Sequence, residues 1–535
     1  MKKITSLVLC MLMVVGMISG CGSSNTTAPA ASTPAASTPA APAASTPATS
    51  AITAPAAPAP ADAKYKEDIV IGISGKIISL DPQENSNTGH NYYFWMVFDG
   101  LINFNFATQE LEPNLATEWN TDDAVHYTFK LRDDVYFHNG EHFTAKDVMY
   151  TLERAKSSST SVTLGNLVES MNAPDDYTLE VTLKVPNVDF VYQLALPTAL
   201  MMNEKAVTDD PIEGCGVGTG PYKVHSYEFG DFFKLERNDD FWGEIMPTKT
   251  VNLRYIPDNS PRLIALQTGE IDVCQDPETL ELSYIESTPG LELDTYLSTS
   301  IQYVAFNYKK APFDNEDFRL AVCYGIDVSE MMDVAREGKA IKCLSLWGWN
   351  EFGYNGGTTS YEYNPELAKE YLAKAYPNGG AKFKLSVNAG ERKVNGELMQ
   401  AQLKQIGIDV ELVELDAAGL STTTTAGDHE ACLYGMGPNI FGDDMRRLIV
   451  PGTGVNKSHY DNARVNELMD LAVSETDEAK RIEYYAEVQQ ICFDEGAYMP
   501  MYFAESFFAR KDSVSGIRYN PASHHNFRKI VMTEK

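Results

Sequence analysis

Phe383-Lys-Leu-Ser-Val387, Leu398-Met-Gln-Ala-Gln-Leu-Lys-Gln-Ile406 and Ile408-Asp-Val-Glu-Leu412 together decide the fold class. In the first run Phe383, Leu385 and Val387 alternate with Lys384 and Ser386. That is the two-residue period of a strand with one buried face. The second run has helical spacing, and Gly407 stops it. Ile408, Val410 and Leu412 then alternate with acidic residues. Strand, helix and strand within about thirty-five residues make a βαβ unit, expected right-handed.

The same reading extends in both directions. Asn364-Pro365 is a cap and first-turn pair, followed by Ala368, Tyr371, Leu372 and Ala375 on one helix face. Asn462 to Thr476 and Asp477 to Phe493 read as two amphipathic helices. Upstream, strands are expected at Ile69 to Ile73, around Tyr127, Phe129 and Leu131, from Tyr177 to Val185 before Pro186, and at Tyr222 to Tyr227. Thr144-Ala-Lys-Asp147 is a capping box opening a helix with Val148, Leu152 and Ala155 on one face. Tyr92 to Phe98 is a buried helical turn or two, and Pro261 to Thr268 is a helix ended by Gly269. The chain is α/β throughout.

The N-terminus has a different character. Lys2 and Lys3 precede an apolar run from Ile4 to Ile18, which has the layout of a secretory signal. Fifteen helical residues span only about 22 Å, short of the roughly 30 Å of a bilayer core. Gly22 to Ala63 is almost entirely Ala, Pro, Ser and Thr, with the near-repeats Ala31-Ser-Thr-Pro-Ala35, Ala36-Ser-Thr-Pro-Ala40 and Ala44-Ser-Thr-Pro-Ala48. Such a segment buries too little apolar surface to offset its ordering entropy, and extended it would reach on the order of 100 Å.

The formal charge is −31, and two units more negative once Lys2 and Lys3 leave. A body this acidic is a poor partner for nucleic acid, whose phosphates need Lys and Arg. Past the signal there are six scattered cysteines besides Cys21, with no Cys-x-x-Cys and no zinc spacing. Three disulfides or six buried thiols fit equally well. An exported enzyme is an alternative of another class, but there is no His-Glu-x-x-His, no Gly-x-Ser-x-Gly and no phosphate loop to support it.

An ordered set of motifs runs through the folded body. It comprises Val97-Phe-Asp-Gly-Leu101, Leu111-Glu-Pro-Asn-Leu-Ala-Thr-Glu-Trp119, Tyr127-Thr-Phe-Lys-Leu-Arg132, Phe137-His-Asn-Gly-Glu141, Thr144-Ala-Lys-Asp-Val148 and Leu152-Glu-Arg154. Gly218-Thr-Gly-Pro-Tyr222, Leu266-Gln-Thr-Gly-Glu-Ile-Asp272, Pro312-Phe-Asp314 and Arg319-Leu-Ala-Val-Cys-Tyr-Gly-Ile-Asp327 continue it. The set resembles the signature of family 5 extracellular solute-binding proteins, the receptors of peptide and nickel ABC importers. The resemblance covers about Ile69 to the C-terminus. It implies a two-lobed periplasmic-binding-protein-like fold (class II, large peptide-binding type) with a hinge. Lobe I would span Lys66 to Leu297, lobe II Ser298 to Glu505, and Ser506 to Lys535 would return to lobe I. The chain would cross near Tyr296–Phe306 and Met501–Phe508.

The resemblance also implies partners. Ile18-Ser-Gly-Cys21 is similar to a bacterial lipobox, which would remove residues 1–20 and place lipid on Cys21. Residues 21–65 would then tether a monomeric receptor to the outer face of the cell membrane, beside its ABC permease. Short peptides are the expected cargo, with no cofactor and no catalysis. A nickel-chelate receptor is the near alternative, hinted at by His524-His525 and by His138 with His142. His138, within its Phe-His-x-Gly-Glu turn, is expected to be structural. A signalling or adhesion lipoprotein on the same fold is an alternative of another class.

Ligand residues carry over position by position. Phe441-Gly-Asp-Asp-Met445 stands where peptide-binding members hold the ligand amine. This makes Asp443 the best match and Asp444 the second, a solvated acidic turn being the alternative. Tyr434-Gly435-Met436 precedes it, with Met436 in place of an aromatic. Arg392, in the segment before the Leu398 helix, stands where an arginine takes the ligand carboxylate. Arg446 and Arg447 compete with it, a surface ion pair being their plainer reading. Trp347 and Trp349, in a loop after a helix, would line the pocket. Asn87, Thr88 and Tyr92 would offer contacts from lobe I, and Tyr303 and Asn307 from near the hinge.

Overall fold

A computed structural model describes residues 64–84, 88–106, 108–158, 160–349, 351–356, 359–437, 442–522 and 525–534. The expected signal, Cys21, nearly all of the linker, Asn87, Phe441 and His524 lie outside the described residues.

The βαβ unit forms as the alternation requires. Lys382–Val387 pairs in parallel with Asp409–Glu414, and the helix Glu391–Gln405 connects them. The helix starts seven residues before the apolar stripe at Leu398. Arg392, expected ahead of the helix, therefore lies within its first turn. Gly390 caps the helix at φ 82°, where a glycine avoids the strain of the left-handed region. A further strand, Ala431–Met436, joins the other side of Lys382–Val387, also in parallel.

These strands belong to one large mixed sheet. Its order runs Asp409–Glu414, Lys382–Val387, Ala431–Met436, Leu291–Phe306, Tyr498–Lys511, Val273–Gln275, Asp68–Ile73, Thr250–Tyr255, Phe232–Arg237 and Tyr222–Glu228. The short strand Ala340–Lys342 adds to Tyr498–Lys511. The two longest strands, Leu291–Phe306 and Tyr498–Lys511, pair antiparallel at the centre. Their register slips between Leu297 and Ile301, so Ser298, Thr299 and Ser300 leave the ladder. Such a bulge bends and twists a strand pair locally.

Separate cores flank that bend. Toward the N-terminal part, Ile69, Ile71, Tyr93, Phe94, Phe98, Leu235 and Leu253 pack with the returning Phe508, Phe527 and Ile530. On the other side, Val304, Phe306, Phe383, Leu385 and Leu403 fill one face of the sheet. Ile301, Tyr303, Trp347, Met436, Leu468 and Tyr485 fill the opposite face. A third body carries the four-stranded sheet of Ala116–Asn120, His126–Leu131, Thr178–Leu183 and Val168–Asp175. Its core holds Tyr127, Phe129, Val148, Leu152 and Phe190. Thr144 caps the helix Ala145–Ala155, its amide donating to Asp147 Oδ2 at 3.0 Å. Cys215, Cys274, Cys323, Cys343, Cys432 and Cys492 are all buried free thiols. No helix among the described residues is long and apolar enough to cross a membrane.

Candidate ligand-binding site

The parallel strands Lys382–Val387 and Ala431–Met436 both end beside the helix bearing Arg392. Ligands of open α/β sheets sit at such carboxyl ends. Arg392 Nη1 donates to Asn388 Oδ1 at 3.2 Å. Its guanidinium carbon lies 5.3 Å from the Tyr434 ring centre. Its Nε is buried without a hydrogen-bond partner. The neighbouring Glu391 is taken by Arg336 at 3.3 Å, and no carboxylate among the described residues pairs with Arg392. Gly435 makes the close approach feasible. A methyl group there would lie 2.7 Å from Gln302 Nε2 and 2.9 Å from Arg392 Nη2.

The structure adds a cation that the sequence did not single out. Lys457 is 3% exposed, and its Nζ lies 5.1 Å from the Tyr434 ring centre. It donates to Thr425 Oγ1 at 2.6 Å and pairs with no carboxylate among the described residues. Burial holds its pKa below the ordinary lysine value. No pattern around Asn456-Lys457-Ser458 signals this placement, which depends on a loop folding back over Tyr434.

Tyr303 stands opposite Tyr434 in the ladder, fully buried, with its hydroxyl unpartnered. Burial drives that hydroxyl's pKa well up. Met436 faces Ile301 and completes an apolar wall. Trp347 lies beyond it, its ring 5.8 Å from that of Tyr485. The loop holding Trp347 follows the strand Ala340–Lys342 rather than a helix. Trp347 Nε1 and Trp349 Nε1 are buried without partners among the described residues. Buried polar atoms are ordinarily bonded, so several orphans in one region ask for an explanation.

Asp443 and Asp444 sit in the turn Gly442–Met445, held under Tyr485. Gly442 is required there, since a methyl group would come within 2.5 Å of the Tyr485 ring. Both aspartates are mostly buried and already engaged. Asp443 Oδ1 accepts from Arg446 Nε at 2.7 Å, and Asp444 Oδ1 pairs with Arg447 at 2.7 Å. The arginines Arg446 and Arg447, weighed as carboxylate ligands, are thus occupied by their own turn. Arg446 is also bonded to Asp470 at 2.8 Å. Desolvation, against the pull of Arg446 and with the push of Asp189, raises Asp443 to about 7. Desolvation opposes the charge on Arg446 too, but its two carboxylates outweigh it and its pKa rises.

Other candidates are placed apart from these. Asn307 is fully buried and donates to the carbonyls of Gly427 and His429 at 3.0 and 2.8 Å, which commits its amide to the scaffold. Tyr92 lies in the helix Thr88–Val97, stacked 5.8 Å from His525 and tilted 5.6 Å from Phe527 in the N-terminal core. Thr88 opens that helix. Of the histidines read as metal hints, the three that lie among the described residues have partners at both ring nitrogens. His138 contacts Gly218 and Gly220, His142 contacts Asp133 and Tyr177, and His525 contacts Asn520 and Tyr296. No group of three metal-ligating side chains occurs among the described residues.

The family model for bacterial extracellular solute-binding proteins, family 5 (Middle), matches residues 110–457. The chain belongs to this family. Heme-binding protein A of Haemophilus influenzae is 24% identical over 486 residues, covering 84% of this chain and 89% of that protein. The probable ABC transporter periplasmic-binding protein SapA of Escherichia coli is 27% identical over 500 residues, covering 86% and 91%. Among solved structures, the periplasmic binding protein DppA of Helicobacter pylori in complex with the peptide STSA superposes with a TM-score of 0.75. It is 27% identical and covers 88% of this chain and 99% of that one. The family 5 receptor is therefore a two-lobed binding protein of the peptide-binding type, and its family is extracytoplasmic.

Proposed function

We propose that this receptor captures short peptides between its lobes and delivers them to an ABC permease. The Arg392 guanidinium, which pairs with no carboxylate among the described residues, carries the reading. A planar fork with a buried free Nε, at the carboxyl ends of parallel strands, suits a carboxylate taken bidentately. The opposite charge is available at the Asp443 turn. Arg446 is shared by Asp443 and Asp470, so the turn carries more carboxylates than this arginine satisfies and would offer acceptor oxygens to a ligand ammonium. Tyr303, Tyr434, Gly435, Met436, Trp347 and Trp349 would form the wall between these ends. The peptide bound by the relative DppA supports the same cargo class.

The lobes in this reading are residues 66–297 with 506–535, and residues 298–505, moving about the bulge at Ser298–Ser300. Ligand bridging both lobes favours the closed form by its differential affinity. Signal removal and lipid attachment at Cys21 would hold a monomeric receptor near its permease, and residues 21–65 would act as the tether. Calorimetric titration with peptides, C-terminally amidated peptides, sugars and nickel chelates tests the cargo. Free-carboxylate peptides are expected to bind and their amides to bind weakly. Tight binding of a non-peptide with silence from every peptide overturns the cargo reading.

A further inference from the structure

Asp189 and Arg481 are 292 residues apart and meet at 2.5 Å. Their side chains are 1% and 8% exposed, which makes this an almost fully buried ion pair. The partners come from bodies with separate cores. Asp189 precedes Phe190, which belongs to the core around Tyr127 and Phe129. Arg481 lies on the helix Glu478–Asp494, which packs through Tyr485 and Val488 against Trp347 and Met436.

Each partner is positioned by its own body. Asn187 accepts from the Tyr127 hydroxyl at 2.8 Å, and Asn187 Oδ1 accepts from the Asp189 amide at 2.9 Å. Asp189 also occupies the N-cap position of the short helix Phe190–Gln193. An aspartate there normally accepts a bond from its own helix. This one makes no side-chain cap bond and reaches across instead. On the far side Arg481 Nε donates to Ala472 at 3.0 Å, and the guanidinium lies 4.5 Å from the Phe352 ring centre. A main-chain bond beside the pair, Val188 to Val473 at 2.9 Å, crosses the same boundary. The contact adjoins the Asp443 turn: Asp189 is among the groups acting on Asp443, and Phe352 borders Gly442.

We infer that Asp189 and Arg481 form a closure latch, an ion pair made only when the two lobes meet, which docks lobe I onto the Gly442–Arg447 turn. The inference rests on the reading of this receptor as one that works by hinge closure. Its energetics differ from those of a pair within one core. Removing one partner of a buried pair strands a charge, which normally destabilises the fold. Here the stranded partner regains water by lobe opening, so the cost falls on closure while each lobe stays folded. The Asp443 amide lies beside the Asp189 carboxylate as a backbone donor, which ties the latch to the turn.

Small-angle scattering and peptide calorimetry on the full-length receptor test this. Asp189→Asn and Arg481→Gln are each expected to enlarge the radius of gyration without cargo. Each should also weaken peptide binding about tenfold to a hundredfold, mainly through faster dissociation, with little change in thermal midpoint. The double variant Asp189→Leu/Arg481→Met, which leaves no stranded charge, is expected to return toward wild-type compactness. Arg481→Lys, which keeps charge but loses the fork, provides a milder variant should a harsher one misfold. Unchanged scattering in Asp189→Asn, or a lowered midpoint without opening, overturns the latch. The scattering arm uses no peptide, so failure of the cargo reading leaves it standing.

Discussion

Arg392 and Asp443 were both expected to hold the charged ends of a peptide, yet the chain surrounds them differently. Arg392 is bonded to one side-chain amide, shares the Tyr434 ring with Lys457, and has no carboxylate partner among the described residues. Asp443 lies beside its own arginine, three residues along the same turn. Asp444 repeats that arrangement with Arg447. One end of the site is a cation awaiting an anion, and the other is an ion-pair network with carboxylate oxygens to spare. The cation gains its full interaction from the ligand. The network gains only the difference between ligand and existing partners, so affinity should depend mostly on the Arg392 end.

The largest effect is expected from Arg392→Met. Two charge-assisted bonds of roughly 1.5–3 kcal/mol each are lost, so free-carboxylate peptides should bind at least about a hundredfold more weakly. Amidated peptides should change little, and an equal loss for both would break the comparison. Gly435→Ala comes next, because its methyl group displaces the guanidinium tip and the Gln302 amide rather than backbone. Affinity should fall about tenfold with the thermal midpoint held within a few degrees. A large drop in midpoint would show that the contact serves the fold.

Asp443→Asn should cost less, under about tenfold for peptides with a free amine, since Arg446 remains paired with Asp470. Its pH signature is more telling. The folded-state pKa of Asp443 is about 7, raised above its ordinary value of 3.8. The folded state therefore holds this proton more tightly, and the stability it contributes is lost as pH rises from about 4 through 7. Relative to wild type, Asp443→Asn should gain stability over that window, as denaturant melts at several pH values would show. The smallest effect is expected from Lys457→Met. Removing an unpaired buried cation should raise the thermal midpoint by a few degrees while weakening anionic cargo only a few-fold. Unaltered stability would mean that Thr425 and Tyr434 already compensate the charge.

What the sequence revealed follows the range of the interaction responsible. The alternation of Phe383, Leu385 and Val387, the stop at Gly407 and the Thr144 cap are local, and each stands where the pattern placed it. The helix start at Glu391 was missed because Glu391, Arg392 and Lys393 carry no apolar period and Gly390 offers no capping side chain. The Asp443–Arg446 pair is local as well; the plainer reading of Arg446 anticipated an ion pair at the surface but neither its partner nor its burial. Asp189 with Arg481, and Lys457 against Tyr434, join distant segments without any repeating pattern. Only the folded chain brings them together.

The placement of Tyr498–Lys511 has a consequence for how the protein is made. This strand lies between Leu291–Phe306 and Val273–Gln275, at the middle of the sheet. Four cores take residues from it: Met499 and Tyr502 enter one, and Phe503, Phe507 and Phe508 enter one each of the others. A growing chain on the ribosome thus lacks the central strand of its sheet until synthesis has almost ended. The cores that share this strand cannot be finished earlier, because their last partner has not yet been translated, whereas the core around Tyr127 and Phe129 needs nothing from it. In a family that works outside the cytoplasm, this order of strands along the gene delays completion of the central sheet until the end of synthesis.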